Sequence, residues 1–379
     1  MTPGGQQLQS RQVLPDTGLS DGDTVTGIVQ EPQLVATHHA FALWYCGSGV
    51  VTWGDPRYGG YGEVCLGAFE LSWLVMRPSP SGVVLQHGAG SSLNLNLLCP
   101  LGFAFAAILS DRSVVTWGHP ELGGNSMELA ERLQDVEQIQ ASHAAFAATL
   151  ADRSVTAWGY PNLTCEVQDQ LKDVQQIKAS GFAFAALLAN GSVVTWRAAD
   201  AGGDASAARD ELVQVQSLQA SERAFAAILA EGSVVAWGDP AYGGDISLIR
   251  HQLINVRTIQ ASQRAFAAIL LDGSVITWGA SGCGGDSSKV KSQLVNVQNV
   301  QASQCAFAAI LEDGSVVTWG DPAFGGDSSH VKDRLINVHA IQASQRAFAV
   351  VLCDGTLVTW GDPMYGGDSS EAHAQLQRL

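Results

Sequence analysis

The chain has 379 residues, 46% of them hydrophobic and only 15% charged, and its formal net charge is −16. Such a composition excludes a largely disordered chain, and the acidic balance weighs against a nucleic-acid partner, because a negative surface repels phosphates. The length suits two average domains or one large repeat array.

Residues 1–33 read as a polar lead-in, with no charged-then-apolar pattern of a secretory signal. Within it, Leu19-Ser-Asp-Gly-Asp-Thr-Val25 resembles the closing segment of a ubiquitin-like β-grasp domain, so a remnant of such a domain is one reading of this segment. Residues 34–60 form a degenerate first repeat around Trp53. Residues 61–100 match nothing else in the chain, and read as an irregular insertion or a splicing artefact. The apolar stretches Leu66–Met76 and Leu93–Leu109 are too short, or too interrupted by Asn and Pro, to cross a bilayer. Residues 101–379 hold seven regular repeats.

The repeat is set by Trp53, Trp117, Trp158, Trp196, Trp237, Trp278, Trp319 and Trp360. Five of the intervals are 41 residues, one is 38 and the first is 64. Each module predicts three short strands: one ending in I-Q-A-S, a second of the form A-F-A-A-I-L, and a third reading S-V-V-T-W-G. The second strand is apolar on both faces, with Phe266, Ala268 and Leu270 on one and Ala265, Ala267 and Ile269 on the other. Sheets packed on both sides explain such a run, and successive small sheets stacked face to face fit the short repeat better than helices do. Between strands two and three stand Asp272-Gly273, Asp313-Gly314 and Asp354-Gly355, as tight hairpins require. Arg112 and Arg153 replace the glycine in two modules, where looser hairpins are expected. A long G-D-P…G-G-D-S-S loop follows strand three, and after it Ser288 is expected to cap one helical turn that carries Val290 and Leu294 on one face. The modules of Trp158 and Trp196 lose most of that loop, carrying Tyr160–Cys165 and Arg197–Asp200 instead.

The recurring A-F-A-A-I-L-x-D-G-S-V-V-T-W-G, nearly intact from Phe105 to Gly361, resembles the repeats of the regulator-of-chromosome-condensation and β-lactamase-inhibitor-protein-II superfamily. The short period is similar to the inhibitor branch. The resemblance implies an all-β fold, a β-propeller of about seven three-stranded blades, or eight if the Trp53 module forms one. It also implies binding functions. Members include nucleotide-exchange and chromatin-binding factors, and propellers in ubiquitin ligases that carry a separate catalytic domain, for which this chain has no match.

No catalytic constellation is found in the sequence: no G-x-S-x-G, no H-E-x-x-H and no phosphate loop. No enzyme activity, cofactor or metal is therefore expected. The seven cysteines are scattered and never spaced C-x-x-C, so they read as free thiols in a reducing compartment. The repeated loop acids Asp239 and Asp245, Asp321 and Asp327, and Asp362 and Asp368 read as turn and cap residues in preference to calcium ligands. If the strands run up, down and up, the turn between strands one and two shares a rim with the loop after W-G. The copies differ most in that turn. Arg223, Tyr242, Arg264, Phe324, Arg346 and Tyr365 are the candidate protein-binding residues of this rim, being of types favoured at interfaces. The expected protein is a monomeric, non-catalytic scaffold for a protein partner, intracellular and cytoplasmic in preference to nuclear, with no membrane association. The alternatives are a guanine-nucleotide exchange or chromatin-binding factor, and the substrate-recruiting module of a ubiquitin-ligase system.

Overall fold

The computed structural model describes residues 120–159 and 167–370 throughout and, before them, the strands between residues 33 and 118 with the turn at 111–113. Among the described residues the fold is all-β. Eight three-stranded antiparallel sheets follow one another along the chain, with one extra hairpin, Val75–Ser79 with Gly82–Gln86. The Trp278 sheet, formed by Val256–Ala261, Ala265–Leu270 and Val275–Gly279, represents the six that are described in full. Its strands pair in sequence order, as in a propeller blade. Gln33–Ala36, Ala40–Tyr45 and Gly49–Gly54 make the sheet of the Trp53 module, and Leu97–Pro100 pairs with Ala104–Ile108 as the first strand of the next. Residues 1–32, where the ubiquitin-like resemblance falls, lie outside the described residues.

The register within each blade follows from side-chain size. Phe266 stands opposite Trp278, and the two rings stack with centroids 5.1 Å apart. Equivalent pairs recur through Phe348 and Trp360. A slip of one residue would turn every Phe and Trp to the other face of its sheet. The first strand carries a bulge at its second residue, between Val256 and Thr258 in this blade, where an unpaired residue adds twist.

The core is a series of layers between blades. In one layer Ala224, Ala226 and Ile228 of the Trp237 blade meet Leu253, Ile259, Phe266, Ala268 and Trp278 of the next blade. In the following layer Ala265, Ala267 and Ile269 meet Leu294, Val300, Phe307 and Trp319. The two faces of one central strand thus serve two different layers, which explains why the strand is apolar on both. Alanine on both faces leaves room for the larger Phe and Trp side chains of the adjoining blade in each layer.

Polar links repeat with the same period. Trp278 Nε1 donates to the Gly243 carbonyl of the preceding loop at 3.0 Å, and the Trp158, Trp237, Trp319 and Trp360 indoles do the same. Gly243 has φ +91°, and a Cβ there would lie 2.7 Å from Cδ2 of Phe266. The Asp-Gly turn of one blade accepts from the start of the next, Val297 N–H to Gly273 O at 2.9 Å. The sheet of the Trp53 module contacts the last sheet in the same sense: its third strand meets the turn Pro363–Tyr365, as Val275–Gly279 meets Pro240–Tyr242.

Two local expectations change. Arg153 takes the left-handed conformation, φ 63°, yet its turn keeps the bonds of the glycine turns: Arg153 N–H to Leu150 O at 2.8 Å and Ser154 N–H to Asp152 Oδ1 at 2.9 Å. The hairpin is strained in φ but is not opened. Ser288 caps nothing. Its own N–H donates to Asp286 Oδ1 at 2.9 Å, because the aspartate two residues upstream reaches that N–H through a short local ring. Leu294 is buried and Val290 partly so in the same layer, as their spacing predicts.

Candidate functional site

The rim is built from two recurring segments. The turn between strands one and two follows a buried serine. In the Trp278 blade, Ser262 Oγ accepts from Ala265 N–H at 3.1 Å and donates to the Cys283 carbonyl at 2.9 Å. One hydroxyl therefore shapes its own turn and holds the loop that follows strand three. The turns are also chained across blades: Glu222 N–H to Gln263 O, Gln263 N–H to Gln304 O, and Gln304 N–H to Gln345 O, each at 2.8–2.9 Å. The loop after strand three is a short 3-10 turn. Asp239 caps Pro240–Tyr242 by accepting from Ala241 N–H at 2.8 Å, and Asp321 and Asp362 act alike.

On this frame the arginines lie against aromatic rings. Arg264 Cζ is 4.5 Å from the ring centre of Tyr242, which belongs to the preceding blade. Arg346 sits between Phe324 of the preceding blade, at 4.7 Å, and Tyr365 of its own, at 5.0 Å. Arg223 is 5.9 Å from both Phe182 and Tyr242. It pairs with Asp200 and, at 3.7 Å, with Asp239. Arg346 likewise approaches Asp362 at 3.7 Å. All six candidate residues are half-buried. They fall into two groups, Arg223 with Tyr242 and Arg264, and Phe324 with Arg346 and Tyr365. Phe182, Asp200, Asp239 and Asp362 join them, although the sequence reading did not include them in the site.

Between the two groups stands a pair the sequence reading missed. Cys283 and Cys305 form a disulfide, which corrects the expectation that every cysteine is a free thiol. Cys353 is free and exposed, and Cys46, Cys65 and Cys165 lie outside the described residues. The missed signal is a spacing of 22 residues: Tyr242 to Arg264, Cys283 to Cys305, and Phe324 to Arg346. The second member always lies one blade beyond the first.

The loop acids act as turn acceptors. Asp245 Oδ1 takes Ser247 N–H at 2.8 Å, and Asp327 and Asp368 take Ser329 and Ser370 N–H at 2.9 Å. These bonds hold the Asp245 and Asp327 carboxyls below the usual carboxylate range. Among the described residues no group of three or more His, Cys, Asp or Glu side chains is placed to hold a metal ion, and no helix is long and apolar enough to cross a membrane. On the first strand, Lys178 stands where the neighbouring copies carry Gln219 and Gln260, and burial lowers its ammonium pKa.

The opposite rim holds a second feature absent from the sequence reading. Val213, Ile254, Val295 and Ile336 recur at the same position of four consecutive blades and are 55–58% exposed. Each precedes a left-handed residue, Gln214, Asn255, Asn296 or Asn337. The Asn255 carbonyl accepts from Leu271 N–H at the Asp-Gly turn, which fixes this apolar arc to the Asp-Gly side.

No family profile matches the chain, and no curated protein matches it. Among solved structures it is similar to the ectodomain of the Arabidopsis thaliana receptor kinase ACR4, at 16% identity over 68% of this chain and 93% of that one, TM-score 0.41. It is similar to a chain in the crystal structure of Kap60 bound to yeast RCC1 (Prp20), at 16% identity over 67% and 78%, TM-score 0.46. A third is human WBSCR16, at 14% identity over 89% and 92%, TM-score 0.40. Likenesses this distant lend the chain no function.

Proposed function

We propose that the chain is a non-catalytic β-propeller scaffold that binds a protein partner through the rim carrying Arg223, Tyr242, Arg264, Phe324, Arg346 and Tyr365. The observation that carries this reading is the stacking of Arg346 between Phe324 and Tyr365, with Arg264 similarly laid on Tyr242. Arginine and tyrosine are the residue types enriched at interface hot spots. Here they are held in place before any partner arrives, so little side-chain freedom remains to be lost on binding. Alternating carboxylates and guanidinium groups favour a polar, sequence-specific protein surface over an apolar one. The resemblance of the repeats to a superfamily of binding propellers agrees with this, and the same reading takes the chain as an intracellular monomer.

Affinity capture followed by mass spectrometry, comparing the native chain with Arg264→Glu plus Arg346→Glu, tests the proposal. The expected outcome is loss of at least one specific partner while the far-ultraviolet circular dichroism stays unchanged. An identical partner set for a folded double variant would remove the rim from consideration.

A further inference from the structure

We propose that Cys283–Cys305 is a redox-set latch in the rim, a covalent replacement for the arginine–aromatic clamps on either side of it that sets how firmly the rim is held for its partner. The inference rests on the rim being the partner-binding surface; its chemistry is tested separately below.

Cys283 and Cys305 occupy positions equivalent to those of the clamp residues on either side. Residues 22 apart, on the 3-10 turn of one blade and the strand-one turn of the next, meet at three consecutive blade boundaries. Tyr242 meets Arg264 and Phe324 meets Arg346 through ring and guanidinium. At the boundary between them both positions are cysteine, and the two sulfurs are bonded. Both members differ together here, between two boundaries that keep the clamp, so the pair is a substitute contact. The same loop also lacks its usual cap: Ala280 and Ser281 stand where Asp239-Pro240 and Asp321-Pro322 stand in the neighbours, and no side chain caps the Ser281–Cys283 turn. Without an aspartate cap or an arginine stack, the disulfide is the remaining side-chain tie between this loop and the following turn.

The surrounding backbone is held without it. The Cys283 carbonyl accepts from Ser262 Oγ, the Gly284 carbonyl accepts from Trp319 Nε1 at 3.0 Å, and the Cys305 carbonyl accepts from Asp321 N–H at 2.9 Å. Opening the bond therefore frees the loop tip and leaves the blades joined. In the opening step, two thiols of an added dithiol pass two electrons and two protons to the protein disulfide. Two protein thiols and the cyclic disulfide of the reagent result. In the reverse direction an oxidised small-molecule disulfide accepts those electrons. In a reducing compartment, disulfides that form and open in this way are characteristically redox-sensing ones.

The test uses the full chain with dithiothreitol as reductant and oxidised dithiothreitol as oxidant. Peptide mapping after thiol alkylation is expected to show a Cys283–Cys305 cross-linked peptide that disappears and returns reversibly. On reduction, amide hydrogen exchange in residues 280–285 and 304–306 is expected to rise about tenfold, with the central strands unchanged. The variant Cys283→Tyr plus Cys305→Arg, which installs the clamp of the neighbouring boundaries, is expected to protect the same segments equally with and without reductant. Exchange at the rim that is identical in the oxidised and reduced native chain would overturn the latch, and so would cooperative unfolding on reduction. These readouts need no partner, so their failure is distinct from failure of the rim reading, which the Arg264 and Arg346 variants address.

Discussion

The charged side chains of the hairpin turns act on stability through short local bonds. Asp272 Oδ1 accepts from Ser274 N–H at 2.9 Å and from Ser274 Oγ at 2.7 Å, which holds its carboxyl below the usual carboxylate range. Asp111, Asp152, Asp313 and Asp354 are lowered by equivalent bonds. A depressed carboxyl pKa in the folded state contributes stability above the unfolded pKa, and that contribution is lost as pH falls through the folded value. Thermal midpoints are therefore expected to be level above about pH 5 and to decline as pH falls below about 4, where unfolded aspartates take up protons. Asn190 makes the same two bonds to Ser192, at 3.0 and 2.7 Å, without titrating. Asp272→Asn plus Asp313→Asn should accordingly flatten the acid limb of the midpoint curve. A limb equally steep in the double variant would assign the acid sensitivity to other groups.

At the scale of elements, what matters is how a loop of one blade seals the face of the next. Gly243 combines a left-handed backbone with a close approach to the fully buried Phe266 ring, and its carbonyl takes the Trp278 indole proton. An alanine there meets two costs, about 1–2 kcal/mol for the left-handed conformation and about 1–3 kcal/mol for crowding a packed ring. Gly243→Ala is expected to lower unfolding stability by about 2–5 kcal/mol, read from the denaturant midpoint. A change under about 0.5 kcal/mol would mean that the loop can lift from the blade freely. The three strands, the Asp-Gly turns and the Phe–Trp register are legible in the sequence because alternation and turn chemistry act within a few residues. The loop-to-blade bonds are not, because their partners lie 35 residues apart.

Across the whole molecule the core is a stack of similar layers, each made by two neighbouring blades. Stability in such an array is close to a sum of blade terms and nearest-neighbour terms. The apolar arc of Val213, Ile254, Val295 and Ile336 lies outside these layers, so each side chain adds little to folding. Single substitutions to threonine are expected to change stability by no more than about 0.5 kcal/mol. The fourfold variant is expected to associate less with itself in light scattering, since apolar surface of this kind promotes contact between molecules. A loss above about 1 kcal/mol at any one site would show that its side chain is covered in solution, since surface positions stay within about half that.

The sequence by itself determined the all-β class, the three-stranded module and its period, because hydrophobic alternation, tight-turn residues and a spaced tryptophan are local signals that repeat. It also marked the six rim residues as variable or aromatic within a constant frame. Only the tertiary structure decided which of them meet: Arg264 with Tyr242, Arg346 with Phe324 and Tyr365, and Cys283 with Cys305 in place of a third clamp. Those contacts form between consecutive blades, where distance depends on how one sheet is set against the next and not on position within one copy of the repeat.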